Sequence, residues 1–203
     1  MKRSLRGCSG IHVIVAIVLL SVVAGCSSIV VSYHAVGVEP PLYRGKNSGE
    51  KIVVYWGTAW RDNQKEPSKR EALAARGIEE FFSSNPRWET LRISKSVVGR
   101  DALLASDTEA VSEAKTAGAD RVLIIRIEEL GPNVMVYLSP ILWQTQNEVL
   151  LHVRAINCQT GQVEADVSTR WVRGGPFTVI GADSLPIDLA GALKAVFFGR
   201  GTP

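Results

Sequence analysis

Ala117-Gly118-Ala119-Asp120-Arg121-Val122-Leu123-Ile124-Ile125-Arg126-Ile127 is the stretch whose reading decides the fold. A glycine after a run of small residues ends a helix, because glycine enters the left-handed backbone region without a Cβ penalty. From Val122 onward the chain is aliphatic and β-branched without alternation, the pattern of a strand covered on both faces. Helix, tight stop and doubly buried strand together make one unit of an α/β sheet. Just upstream, Ser106-Asp107-Thr108-Glu109 offers a capping oxygen and a reciprocal glutamate, so the spacing predicts that the helix starts there. Its inward side would be Ala110, Val111, Ala114 and Ala117, small enough to let the helix approach a sheet closely.

The same alternation appears nearer the amino terminus. Lys51 to Trp56, closed by Gly57, reads as a buried strand. Pro67 opens a helix that runs to about Ser83, with Leu73, Gly77, Ile78, Phe81 and Phe82 on one side, and Asn85-Pro86 ends it. Trp88 to Ser94 reads as the next strand. Beyond Ile127 the pattern changes to consecutive strands. Glu148–Cys158 and Gln162–Val172 flank Gln159-Thr160-Gly161, a hairpin connection. In the returning strand Val163, Ala165, Val167, Thr169 and Trp171 share one face, and Glu164, Asp166, Ser168 and Arg170 share a wet one. A last amphipathic helix, about Ser184 to Phe198, presents Leu189, Leu193, Val196 and Phe197. The expected fold is a single mixed α/β domain: βαβα, a strand meander with a hairpin, and a C-terminal helix.

The first residues are of another kind. Lys2, Arg3 and Arg6 precede an apolar run from Ile11 to Val23, then Ala24 and Gly25, the layout of an export signal. As a helix that run spans about 20 Å, short of the roughly 30 Å core of a bilayer. Val23-Ala24-Gly25-Cys26 is similar to the lipobox of bacterial lipoproteins. That resemblance implies cleavage before Cys26, a diacylglycerol on its sulfur and a further acyl chain on its amine, with no other cofactor. Three chains would hold the protein in the membrane effectively for good. Ser27, where an aspartate favours inner-membrane retention in such lipoproteins, implies the outer membrane, facing the periplasm. The expected organisation is a signal peptide over 1–25, a lipidated flexible tether over 26–50 in which Ile29-Val30-Val31 could add an edge strand, and a periplasmic domain over 51–203.

Whole-chain charge is 23 Lys+Arg against 20 Asp+Glu. Lys2, Arg3 and Arg6 leave with the signal, so the mature chain is neutral, and no basic stripe with interleaved aromatics argues for nucleic acid. Cys8 leaves as well and Cys26 would be acylated, so Cys158 is the free thiol of the mature chain and the fold rests on core packing without a disulfide.

Two stretches, Ala117 to Leu123 and Val153-Arg154-Ala155-Ile156-Asn157-Cys158-Gln159-Thr160-Gly161-Gln162-Val163, resemble the TolB amino-terminal domain, the LpoB-type activators of penicillin-binding proteins and the curli-secretion lipoprotein CsgG, over roughly residues 51 to 198. The resemblance implies a non-enzymatic envelope component that binds an envelope protein as adaptor or activator, or forms a secretion pore. The pore is disfavoured because the connection from Pro132 to Asn147 is interrupted by Pro140.

No catalytic constellation stands out. His34 lies in the expected tether, and His152 alternates with apolar neighbours in a strand. His152 and Cys158 share a face but lie about 20 Å apart along the strand, too far to share a metal ion. No phosphate-binding glycine motif is present, and Gly174-Gly175-Pro176 reads as a chain reversal. Two places are candidates for binding a partner. Trp60 and Arg61 sit on the loop leaving the carboxyl end of a buried strand. Tyr137 and Trp143 sit in the apolar run Val134 to Trp143, which is either an edge strand open to a partner or a second copy of the chain, or a segment buried under the last helix. The alternative function is a periplasmic lipoprotein that binds a small ligand beside the loop after Trp56.

Overall fold

The structure is a computed structural model that describes residues 28–43, 49–96, 103–136, 143–176, 178 and 180–199. Six strands, β1 (Ser28–Gly37), β2 (Glu50–Thr58), β3 (Trp88–Lys95), β4 (Arg121–Val136), β5 (Trp143–Asn157) and β6 (Val163–Pro176), form one sheet in the order β1-β6-β5-β4-β2-β3. The described helices are α1 (Pro67–Ser83), α2 (Leu103–Thr116) and α3 (Leu185–Phe198), the last preceded by a 3-10 turn, Ala182–Ser184. β2 is parallel to β3 and β4, and the β4-β5-β6-β1 half is antiparallel. This is the mixed α/β domain expected from the sequence. α1 and α3 pack their apolar sides on one face of the sheet, and α2 sets Ala114 on the other against Val53, Val122 and Ile124.

The first face carries the larger core. Phe82 and Phe197 are fully buried, and Trp88 stacks on Phe198 with ring centroids 5.4 Å apart while Tyr43 closes the cluster from the side. Gly77 lets α1 and α3 touch: a Cβ there would stand 2.9 Å from the Pro186 carbonyl oxygen. That contact is the physical reason for a glycine inside α1, where its propensity cost is about 1 kcal/mol.

Several expectations are corrected. The segment read as a tether is structured from Ser28. β1 pairs with β6 without a register break from Ser28↔Gly174 to Gly37↔Ala165. The pairing gives the β6 edge its hydrogen-bond partners and buries Val31, while Tyr33 and Ala35 pack on the same core. Leu42 and Tyr43 then donate backbone hydrogen bonds to Val196 and Phe197. The folded unit therefore begins well before residue 51; the signal peptide and Cys26 lie outside the described residues.

α2 starts at Leu103, so Ser106 and Asp107 are inside the helix and not at its cap. The Asp107 carboxylate is instead held by Arg154 at 2.6 Å. Ala117 is exposed past the end of α2, where Gly118 takes φ +79°. Pro132 to Asn147 is no loop: β4 and β5 continue as a ladder to Val136↔Trp143, and only 137–142 lie between them. The argument against a pore that treated Pro132 to Asn147 as an interrupted connection falls with that correction. The β5–β6 connection runs from Cys158 to Gln162, with Asn157 Oδ1 accepting from the amides of Gln159 and Thr160 and Gly161 at φ +70°. A register shift at Ala155/Ile156 leaves Val163 half exposed, although Ala165, Val167 and Thr169 are buried as the alternation predicts.

Candidate functional site

Among the described residues, one concavity lies between α1 and α3. α1 ends where Asn85-Pro86 interrupts it, and the chain turns at once into β3, leaving the last turn of α1 facing α3 across an open groove. The groove encloses about 540 Å³ and is floored by Phe81, Ala190, Gly191 and Phe198. Gly191 lets α3 pack closely on β6, because a Cβ there would meet the Trp171 ring at 2.9 Å. Arg87, Lys194 and Glu80 stand on the rim. The Arg87 guanidinium lies 4.4 Å from the Phe198 ring centroid, a cation–π contact that holds the charge over the apolar floor. Ile187 lies at the groove 64% exposed, a large aliphatic side chain turned to solvent. An aromatic floor, an unburied isoleucine and a net cationic rim are what a protein-binding groove presents.

A smaller pocket of about 370 Å³ opens over Ala155 and Ala165, between Val38, Leu42 and Tyr43. Arg121 and Glu164 edge it within one network. Tyr43 donates to Glu50 Oε2 at 2.6 Å, Arg121 Nη1 donates to the Tyr43 oxygen at 2.8 Å, and Arg121 Nε donates to Glu164 at 2.7 Å. Burial pushes the Tyr43 phenol far above its ordinary range. At neutral pH it is a fixed hydrogen-bond donor and not an acid–base group.

The second face of the sheet beyond α2 carries charge in cross-strand ladders. His152 Nε2 contacts Asp166 Oδ1, and Arg154 bridges Asp166 at 2.8 Å and Asp107 at 2.6 Å. Although burial works against it, hydrogen bonds and charge from Arg154 and His152 hold the Asp166 carboxyl below the ordinary carboxylate range. Glu148, almost buried, pairs with Arg170 at 2.5 Å. The face that alternation marked as wet is thus only half exposed and internally paired. Cys158 is buried, and burial raises its thiol pKa, so it is a poor nucleophile. Among the described residues no three of His, Cys, Asp and Glu are gathered to hold a metal ion, and no described helix is long and apolar enough to cross a membrane.

The predicted partner residues are not brought together. Trp60 is half-buried on the main core, and Arg61 pairs with Glu129 at 3.0 Å. Their loop runs along β4 as a surrogate strand: the amides of Ala59 and Arg61 donate to the carbonyls of Ile127 and Glu128. Gln64 then uses its side-chain amide as one more rung, accepting from the Leu130 amide and donating to the Leu130 carbonyl. The loop after Trp56 thereby closes an edge, and both described pockets lie elsewhere. Trp143 falls on the last rung of the β4–β5 ladder, opposite Val136, six residues beyond Leu130 along β4 and about 20 Å away. Tyr137 lies outside the described residues. The Val134–Val136 part of that run does lie beyond the reach of β2, whose pairing with β4 stops at Ile127. Sequence reasoning missed Arg87, Ile187 and Lys194, which come from separate elements; the legible signal was Phe198 next to Phe197 on a helix whose inward side needs only one of them.

The described residues form one domain of mixed α/β type. No family model matches the chain, and no curated protein matches it. Among solved structures it is similar to the PelC dodecamer from Paraburkholderia phytofirmans, at 17% identity and TM-score 0.45 over 84% of this chain and 99% of that one. It is also similar to the hypothetical protein CT253 from Chlamydia trachomatis, at 9% identity and TM-score 0.42 over 74% and 99%. Lipoprotein GNA1162 from Neisseria meningitidis is similar at 13% identity and TM-score 0.37 over 72% and 97%. At these values the chain's own surface carries the functional argument.

Proposed function

We propose that this chain is a lipid-anchored outer-membrane protein, exposed to the periplasm and without enzymatic activity, that binds another envelope protein as an adaptor or activator. The observation that carries the binding role is the α1–α3 groove: Phe81 and Phe198 lie at its floor, Ile187 is largely exposed beside them, and Arg87 and Lys194 mark its rim. Such a groove suits an apolar segment flanked by acidic side chains. The anchor rests on Val23-Ala24-Gly25-Cys26.

A photo-crosslinking residue placed at Ile187 in growing cells tests the binding role. Capture of one discrete envelope protein, lost on Lys194→Glu, is expected; no adduct at Ile187 or at Lys194 overturns it. The anchor is tested separately by Cys26→Ala, which should abolish labelled-palmitate incorporation and release the protein from the outer-membrane fraction. A second reading, small-ligand binding, is favoured by the pocket at Ala155 and Ala165, whose apolar walls meet one charged edge at Arg121 and Glu164. Stabilisation by a metabolite that disappears on Ala155→Leu would support it.

A further inference from the structure

We propose that the pocket over Ala155 and Ala165 binds an organic cation: a primary ammonium on a short apolar stem, with its head on Glu164 and its stem against the two alanines. This rests on the small-ligand reading of that pocket and gives the ligand a chemical class.

The space is set by residue size. Ala155 and Ala165 are paired across β5 and β6 on the side of the sheet that carries the larger core. The rows behind them pair Val153 with Val167 and Leu151 with Thr169, so two methyl side chains stand where larger ones otherwise fill this face. Val38 and Leu42 wall the gap, which encloses about 370 Å³. At roughly 30 Å³ for each non-hydrogen atom, the share of one water in the liquid, about a dozen such atoms fit. Val38 is 47% exposed, so the wall it forms is open to solvent.

Hydrogen-bond accounting decides the class. All three Arg121 nitrogens are engaged within the protein: Nε at 2.7 Å and Nη2 at 2.6 Å on Glu164 Oε2, and Nη1 on the Tyr43 oxygen at 2.8 Å and on Glu50 Oε1 at 2.9 Å. Tyr43 donates its hydroxyl hydrogen to Glu50 Oε2 at 2.6 Å. In the segment that walls the pocket, Pro40 and Pro41 carry no N–H, and the Leu42 and Tyr43 amides are spent on the carbonyls of Val196 and Phe197. The side-chain capacity left over is for accepting. Glu164 Oε1 accepts from Asn157 Nδ2 at 3.0 Å, and a carboxylate oxygen has a second lone pair to offer. The Glu164 side chain is 33% exposed, so a ligand can reach it.

Charge agrees. Glu50 and Glu164 together outweigh the one guanidinium between them, which leaves this edge of the pocket net anionic. A carboxylate or phosphate entering here meets two carboxylates already seated on Arg121 and a guanidinium whose every nitrogen is engaged. An ammonium brings three hydrogens and a positive charge to the carboxylate that has a vacant lone pair. Its stem leaves water for the side chains of Val38, Leu42, Ala155 and Ala165. A free alkylamine and the lysine side chain of a peptide offer this same chemistry.

The test uses the full-length protein with carbon-13-labelled alanine methyl groups, followed by NMR while hexylammonium, hexanoate or hexanol is added at neutral pH. Hexylammonium should shift the Ala155 and Ala165 methyl signals to saturation, and the other two should bind at least about fivefold more weakly. Glu164→Gln keeps the shape and removes the charge; it should weaken hexylammonium by at least about fivefold and leave hexanol unchanged. Ala155→Leu fills the space and should abolish the binding. Urea unfolding shows whether each variant folds, and Glu164→Gln carries the test if Ala155→Leu does not. With hexylammonium bound, a capped Gly-Lys-Gly peptide separates the sources: equal methyl shifts assign a peptide lysine, and their absence assigns a free amine. Hexanoate binding as tightly as hexylammonium, or a hexylammonium affinity unchanged by Glu164→Gln, overturns the cation class and leaves the pocket as a ligand site. No shift with hexylammonium overturns the proposal too, and the small-ligand reading then stands or falls on a metabolite whose stabilisation Ala155→Leu removes.

Discussion

Asp188 offers the sharpest test of how α3 is held. It lies in the first turn of α3 and is 1% exposed. Arg173 of β6 grips it with two nitrogens, one of them at 3.0 Å, Asn147 Nδ2 donates to it at 2.6 Å, and Ser184 Oγ at 3.3 Å. Replacing it by alanine removes charge-assisted hydrogen bonds worth about 1.5–3 kcal/mol and a favourable helix-dipole interaction of roughly 0.5 kcal/mol. The larger penalty of an abandoned buried cation, about 3–5 kcal/mol, does not apply in full. Arg173 is 27% exposed and can turn to water, and Asn147 keeps Ser184 as an acceptor at 2.8 Å. Asp188→Ala should therefore cost about 3 kcal/mol in urea denaturation, and lower Tm by roughly 6 to 12 °C for a domain of this size. Arg173→Met should be costly too, since it strands a carboxylate with little access to water. The double variant should lose less than the sum, with a coupling above about 1 kcal/mol. A loss below about 1 kcal/mol for Asp188→Ala, or strict additivity, would refute the view that this pair latches α3 to the sheet and so sets one wall of the groove.

Other parts of the molecule give two more expected outcomes. Val31→Ala should cost about 2 kcal/mol because the side chain is 6% exposed, whereas Val30→Ala, 54% exposed, should change the urea midpoint little; equal and negligible effects would return β1 to the status of a tether. The lowered pKa of Asp166 means that its paired form adds stability above the ordinary value of 3.8 and loses it as pH falls through the lower folded value. Wild type should thus lose stability more steeply than Asp166→Asn as pH falls below about 4, by less than about 1 kcal/mol since the group is partly solvated; identical acid limbs would rule out the pairing.

How legible the molecule was depends on where each element finds its partners. β2, α1, β3 and β4 carry their own punctuation: continuous apolar runs, Pro67 at a helix start, Asn85-Pro86 and Gly118 at helix ends. β1 was legible only as a possible edge strand over Ile29-Val30-Val31 within a tether, although Val31, Tyr33 and Ala35 alternate correctly, because an edge strand is stabilised mostly by the strand it joins, here β6, and because the prolines and glycines downstream read as linker. Val134 onward was read as either an edge strand or a buried segment, and its continuity with β4 through Pro132 was not legible for a related reason. A proline is tolerated where a strand has an open edge, and that edge exists only because β2 stops pairing at Ile127. Asp107 looked like a cap because its chemistry fits one; Arg154 takes it instead.

By itself the sequence determined the class of fold and the layout of its halves, because burial on both faces and helix boundaries are local properties of the chain. It also specified the cysteine at 26. Only the tertiary structure decided that Tyr43, Arg121 and Glu164 edge one pocket, that Phe81, Arg87, Ile187 and Phe198 surround one groove, and that Gln64 closes the edge of β4. Each of those is a meeting of residues far apart in the chain, set by register and by helix contact, and neither is written in any local pattern.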